Sequence, residues 1–228
     1  GTSADYPPYE WHLIKDGKDE IIGFDIDIAQ AIADELGVEL EVKDMAFDGL
    51  IPALSTGKID MIIAGMNATE ERKQSVDFTD VYYTQTDIVV IRKEDADKFT
   101  SEDSLKTAAL ATQKATVQET YLLETFPDAE IQSVPKWNTA IMSLTTGKVD
   151  AVMMVDTVAK QFIAQNDDLM VANFDINSTP NAAAIAVAKN GGDFLETVNN
   201  IVNEMKESGK IEELYQLNDQ IVTDNTAE

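Results

Sequence analysis

Ile51-Pro-Ala-Leu-Ser-Thr-Gly-Lys-Ile-Asp-Met-Ile-Ile63 returns as Ile141-Met-Ser-Leu-Thr-Thr-Gly-Lys-Val-Asp-Ala-Val-Met153, at a constant offset of 90 residues. Ile, Leu, Thr, Gly, Lys and Asp recur in place, and the positions between them change conservatively. Each copy reads as a helix stopped by glycine, a charged turn and a buried strand. The offset is far longer than a solenoid period, so the pattern predicts two similar α/β lobes rather than a repeat array. Working outward, helical and strand patterns alternate through the chain. Residues 26–36 carry apolar side chains near a period of 3.6 and stop at Gly37. Residues 38–42 alternate like a half-buried strand, and the apolar run 59–64 reads as another. The order βαβα continues to two closing helices near 194–205 and 211–217 and predicts an α/β fold with mainly parallel sheets.

In open α/β sheets a ligand sits just beyond the carboxyl ends of the strands. Beyond the first repeated strand comes Gly65-Met66-Asn67-Ala-Thr-Glu-Glu-Arg72, and beyond the second Val155-Asp156-Thr157. One lobe therefore offers a guanidinium with small polar groups, and the other a carboxylate. A cation and an anion facing one cleft suit a free amino acid, whose carboxylate and ammonium need both. Composition narrows the partners further. The 228 residues carry 42 acidic side chains against 17 basic ones, net −25, and such a surface repels phosphate backbones and anionic lipid. No cysteine and one histidine, His12, argue against thiol catalysis, imidazole metal sites and a Ser-His-Asp triad. No apolar run approaches the roughly eighteen residues of a membrane span. Any export signal or lipid anchor is expected to have been removed ahead of Gly1.

Several stretches resemble the extracytoplasmic solute-binding proteins of polar amino-acid ABC importers, the family of the glutamine and histidine/lysine/arginine/ornithine binding proteins. They are Gly1-Thr-Ser-Ala-Asp-Tyr-Pro-Pro-Tyr-Glu10, Ile22-Gly-Phe-Asp-Ile-Asp27, Phe47-Asp-Gly-Leu-Ile-Pro-Ala-Leu54, Thr69-Glu-Glu-Arg-Lys-Gln-Ser-Val-Asp-Phe-Thr-Asp-Val-Tyr-Tyr83, Thr116-Val-Gln-Glu119 and Gly147-Lys-Val-Asp150. The resemblance implies a type II periplasmic-binding-protein-like fold, with one lobe at 1–86 and 183–228 and the other at 87–182. A ligand cleft would lie between them, with closure about a two-segment hinge.

It also implies roles. Arg72 matches the arginine that clamps the ligand carboxylate, a task suited to a planar two-pronged donor. Gly65, Met66 and Asn67 match the segment that contacts the carboxylate and ammonium groups. Thr116 and Val117 match a helix start whose N–H groups meet the carboxylate. Asp156 matches the acid that holds the ammonium, and Tyr6 and Phe47 match the aromatic walls. Gln113 follows a strand towards the ligand side chain. Three positions depart from the pattern: Ser3 stands where many members carry aspartate, and Ala115 precedes Thr116 where the turn is usually Gly-Thr. Asp156 lies six residues after Asp150 instead of five, which a one-residue bulge would restore.

The function implied is capture of a free L-amino acid and its delivery to transmembrane permease subunits of an ABC importer, without cofactor, metal, nucleic acid or catalytic residue, by a monomer. The location would be the periplasm or, as a lipoprotein, the cell surface. Ser3 and Gly65 favour a polar uncharged ligand such as glutamine. The net charge and Glu10 favour the alternative, a cationic ligand such as arginine or lysine. Other readings on the same fold are a periplasmic dehydratase using Glu10 or Asp156 as the acid, and a receptor ligand-binding domain.

Overall fold

The computed structural model describes residues 1–226. The chain forms two compact units, one built from Gly1–Thr84 and the chain from Ala182 onward, the other from Gln85–Asn181. In chain order the first unit supplies β1 (Asp5–Tyr6), β2 (Glu10–Lys15), β3 (Lys18–Ile22), α1 (Phe24–Leu36), α2 (Leu50–Ser55), β4 (Met61–Ile62) and β5 (Val76–Phe78). The chain leaves through β6 (Tyr83–Gln85) into β7 (Asp87–Arg92), β8 (Ala109–Gln113), α3 (Val117–Thr125), β9 (Glu130–Val134), α4 (Trp137–Thr145), β10 (Ala151–Val155), α5 (Asp156–Ala164) and β11 (Leu169–Val171). It returns through β12 (Asn181–Ala183), which pairs with β6, to β13 (Ala186–Ala188), α6 (Gly192–Glu207) and α7 (Lys210–Thr226).

The repeated sequence stretch becomes the same capped turn in each unit. After α2, Gly57 adopts φ +69 and donates to the Leu54 carbonyl, Lys58 N–H donates to Ala53 O, and the Thr56 hydroxyl donates to Pro52 O. After α4, Gly147 at φ +71 donates to Leu144 O, Lys148 N–H to Ser143 O, and the Thr146 hydroxyl to Met142 O. A left-handed glycine satisfies the last helix carbonyls and turns the chain into the next strand. In the second unit the repeated aspartate adds a lock: Ala109 N–H donates to Asp150 Oδ2 at 3.0 Å, and Asp150 N–H donates back to Ala109 O.

The sheets are more antiparallel than the βαβα pattern predicts. In the second unit the order is β11-β7-β10-β8-β9, with β10–β8 and β8–β9 parallel but β11–β7 and β7–β10 antiparallel. In the first, β13 lies between β4 and β5 and is antiparallel to both. The reason is that β7 and β13 enter their sheets from the crossing strands rather than from a preceding helix. Residues 38–42 alternate as a strand does but take no strand pairing; with α1, part of α2 and Phe194 they line a cavity of about 820 Å³ inside the first unit. Both units have their own apolar cores. Leu50, Leu54, Ile62, Met66 and Val76 fill the first, and Val89, Ile91, Phe99, Leu110, Leu122, Phe126 and Met153 the second.

The start of α1 shows how tightly local sequence fixes the first unit. Gly23 has φ +138, and a Cβ there would sit 2.1 Å from the Tyr9 carbonyl oxygen, so only glycine fits. Phe24 N–H donates to Pro8 O and Asp25 N–H to Tyr9 O. These bonds lay the first turn of α1 against the Pro8-Tyr9-Glu10 segment and bring Asp25 beside Glu10. The returning chain locks on through aromatic rings: Tyr215 of α7 stacks on Tyr83 at 4.7 Å and meets Phe24 edge-on at 5.8 Å. Asn218 donates to Asp27 at 2.6 Å.

Candidate ligand-binding site

In the first unit the expected contacts gather where the chain leaves β4. Gly65 turns at φ +55, and its N–H donates to Asp25 Oδ2 at 2.8 Å, so its carbonyl is the group it can offer an ammonium. Met66 is buried in the apolar core, and its carbonyl accepts from Ala184 N–H at 2.9 Å. The expectation of a Met66 contact therefore reduces to its backbone N–H, because side chain and carbonyl serve the fold. Asn67 bridges to Ala183, and its carbonyl accepts from both Thr69 N–H and Arg72.

Arg72 opens a short 3-10 turn, Arg72–Gln74. Its guanidinium donates to Asn67 O at 2.8 Å and lies over the Phe47 ring, 5.4 Å from the centroid. Its backbone N–H donates to the Thr69 hydroxyl at 3.2 Å. Burial pushes its pKa down to about 10, which leaves it charged at neutral pH. A partly desolvated guanidinium held on an aromatic face is pre-set for a carboxylate. Phe47 and Tyr6 are each 9% exposed; Phe47 belongs to the core around Leu50, and Tyr6 packs on Tyr9 at 5.2 Å. Ser3 is buried and its hydroxyl faces Asp5 Oδ1 at 3.5 Å, so a carboxylate stands two residues from the position that lacks one.

Behind Gly65 lies an acidic cluster in which Glu10, considered from the sequence, is joined by Asp25, which was not. Asp25 is wholly buried, and Tyr82 O–H reaches both its oxygens, at 2.9 and 2.8 Å. Burial raises its pKa to about 6 against the opposing pull of Gly65, Tyr82 and Glu10. Glu10, 1% exposed, is pushed well above the carboxylate range by burial and by the charges of Asp25 and Asp5. Its Oε2 has no hydrogen-bond partner. Burial and the same carboxylates also raise the Tyr82 phenol. The signal was present in the hallmark Gly-Phe-Asp and in the Glu closing the opening segment. What was missing was the fold that joins them.

In the second unit the start of α3 is capped by Thr116, and Glu119 reaches back to the residue before the cap. The Thr116 hydroxyl accepts from Glu119 N–H at 3.2 Å, while Glu119 Oε2 accepts from Ala115 N–H at 2.6 Å. Ala115 adopts φ +63, so the alanine takes the left-handed conformation a glycine would normally fill. Val117, half-buried, begins the helix, where unsatisfied N–H groups and the helix dipole favour an anion. Gln113 is buried, its side-chain amide donates to Pro135 O at 3.1 Å, and its backbone carbonyl accepts from the Thr116 hydroxyl, which braces the turn. Gln118 takes over as the polar group to watch: it donates to Asp87 at 2.8 Å, and Ser178 and Asn181 donate to the same carboxylate at 2.8 and 2.7 Å. Burial, first, and the charge of Asp156 raise the Asp87 pKa, and the three donors oppose them.

The one-residue bulge is not there. Ala151 through Val155 pair one-to-one with Ile91 through Asp87, so β10 runs regularly to Val155, which is buried. Asp156 instead opens α5, with its N–H on Thr86 O at 2.9 Å and its half-buried carboxylate 3.4 Å from Lys160. Its position follows from the strand-to-helix switch, not from an insertion in the strand.

No group of His, Cys, Asp and Glu suited to a metal occurs among the described residues, and none of their helices is long and apolar enough to cross a membrane. The 820 Å³ cavity of the first unit is lined by Asp25 but by none of the expected contact residues.

Residues 1–217 match the family described as bacterial extracellular solute-binding proteins, family 3. The chain belongs to that family. It is 34% identical over 217 residues to the arginine-binding extracellular protein ArtP of Bacillus subtilis, covering 94% of this chain and 82% of that one. Among solved structures it is similar to the amino acid ABC transporter substrate-binding protein AbpA of Streptococcus pneumoniae bound to L-arginine, with a TM-score of 0.93 and 33% identity over 97% of this chain and 93% of that one. It is also similar to AncCDT-1, an ancestral amino acid-binding protein and precursor of cyclohexadienyl dehydratase (TM-score 0.85, 35% identity, 94% and 92% covered). The family member thus has the α/β fold of type II periplasmic binding proteins.

Proposed function

We propose that this solute-binding protein captures a free cationic L-amino acid, arginine in the first place, outside the cytoplasm and delivers it to the permease subunits of an ABC importer. The two units, Gly1–Thr84 with the chain from Ala182 onward and Gln85–Asn181, act as lobes that each contribute contacts to the ligand. The observation that carries the reading is Arg72, a desolvated guanidinium held against Phe47 and Asn67 O as a seat for the α-carboxylate. The start of α3 at Thr116 and Val117 supplies further N–H groups to that carboxylate. Asp156 and the Gly65 carbonyl receive the ammonium.

The expectation of a polar uncharged ligand gives way to the cationic alternative. ArtP and AbpA are named with arginine, and the carboxylate missing at Ser3 is replaced nearby by Asp5. With Asp87 and Asp156 on the other unit and a net charge of −25, a ligand of net positive charge is favoured by the field of the whole protein. A thermal-shift screen against the twenty amino acids tests the proposal, since a ligand raises the melting temperature in step with its affinity. Stabilisation by arginine above glutamine supports it, and a response to glutamine alone restores the earlier expectation. Turnover of a prephenate-like substrate would instead mark the enzyme reading that AncCDT-1 keeps in view.

A further inference from the structure

The buried acids of the first unit do more than fill space. Two carboxyl groups, Glu10 on β2 and Asp25 on α1, stand close enough to act on each other's charge with almost no solvent contact. Like charges this close do not both ionise in a dry site, so the pair holds a proton. Asp25 receives two donors from the protein, Gly65 N–H and the Tyr82 hydroxyl that lies within reach of both its oxygens, and is the better-satisfied anion. Glu10 has an oxygen without a partner and keeps the proton. The other groups that act on the pair are Asp5 of β1, the Thr2 hydroxyl, and the Gly1 ammonium, which donates to Met61 O.

We propose that Asp25 is a positioning residue of the ligand site: as the anion of a one-proton pair with Glu10, it grips Gly65 N–H and fixes the Gly65-Met66-Asn67 turn that carries Arg72's anchor. This rests on the proposed function, because Gly65 and Asn67 matter to a ligand only if that reading holds. Gly65 is clamped from both sides of the turn, by Asp25 on its N–H and by the Ala184-to-Met66 bond on the next residue. Asn67 O, one residue further, is what holds the Arg72 guanidinium.

A second proton on the pair sets a donor against the donors already there, and Gly65 is released. Ligand affinity therefore falls with acid in the range where Asp25 titrates, near pH 6. Stability moves the other way, because the protonated acid is the form that burial favours. Arginine keeps its charges across this range, so the effect belongs to the protein.

The test is calorimetric titration with L-arginine from pH 7.5 to 5.0, alongside the Gly65 amide proton followed by NMR in the ligand-free protein. The expected result is about tenfold weaker binding at pH 5.0, the difference between a charge-assisted and a neutral hydrogen bond. The Gly65 resonance should move with the same midpoint. Asp25→Asn should bind about as weakly as the acid form at every pH. Tyr82→Phe, which folds without a buried charge change, should shift the midpoint upward because a donor to the anion is lost. His12→Gln should leave the profile as it was; it controls for the imidazole, whose pKa is raised by its hydrogen bond to Asp19 and by Asp44. Binding that is flat with pH, or a profile erased by His12→Gln and not by Asp25→Asn, overturns the proposal while the binding function stands. A Gly65 resonance that titrates in a protein that never binds arginine would leave the acid pair intact and overturn the function assigned to it.

Discussion

Replacing Arg72 by alanine removes the group on which the carboxylate seat is built. In the fold the guanidinium donates to Asn67 O at 2.8 Å and lies over the Phe47 face at 5.4 Å. These are worth about 1 kcal/mol and 0.5–1 kcal/mol respectively. Release of a desolvated charge offsets part of that. The variant should stay folded, with its melting temperature within about 5 °C of the parent. The ligand loses far more, since its carboxylate would enter a site with no cation. Breaking one partner of a buried pair costs about 3–5 kcal/mol, which is roughly a 10²- to 10⁴-fold rise in Kd. Arg72→Lys keeps the charge but not the planar fork, so a loss on the order of tenfold is expected. Isothermal titration with L-arginine reads all three proteins. An Arg72→Ala protein that melts normally and binds within about fivefold of the parent would refute the reasoning.

Other expectations follow from backbone and charge. Gly23→Ala forces a Cβ to 2.1 Å from Tyr9 O at φ +138, and should lower stability by about 3 kcal/mol or more in denaturant melts. Ala115→Gly relieves a left-handed alanine at φ +63. The relief of about 1–2 kcal/mol, less about 0.4–1 for the freer unfolded chain, should raise the melting temperature by about 1–4 °C. Asp25 has a folded pKa of about 6 against 3.8. Its contribution is therefore full below about pH 4 and lost as pH rises through 6, a swing of about 3 kcal/mol. Asp25→Asn should remove about 2 kcal/mol of that swing from the difference in unfolding free energy between pH 4.5 and 7.

The repeated stretch made the two-unit plan legible because a glycine-capped helix end has a fixed chemistry. Thr56-Gly57-Lys58 and Thr146-Gly147-Lys148 make the same bonds in both units. Strand direction was not legible, since a buried run such as 88–91 reads alike in a parallel or an antiparallel sheet. The unpaired 38–42 segment shows the complementary limit: period-two alternation states a preference, and pairing needs a neighbour. At the site, Arg72 and the start of α3 entered as expectations from the segments that resemble the family, not from a local signature of their own. The Glu10–Asp25 pair and the Asp87 cluster were not legible. Their members lie 15 residues apart in one case and span Asp87 to Asn181 in the other, and only the fold closes those distances. The bulge expected before Asp156 was a mistaken local reading, since β10 runs regularly to Val155 and Asp156 is the first residue of α5.

The central claim is that one free amino acid is held by its carboxylate at Arg72 and chosen for its positive charge. Parallel calorimetric titrations of the unmodified protein with L-arginine and L-glutamine at pH 7.5 test it most directly. The account predicts tight one-to-one binding of arginine, at least tenfold stronger than glutamine. Glutamine binding as tightly as arginine, or no binding of either, would contradict it.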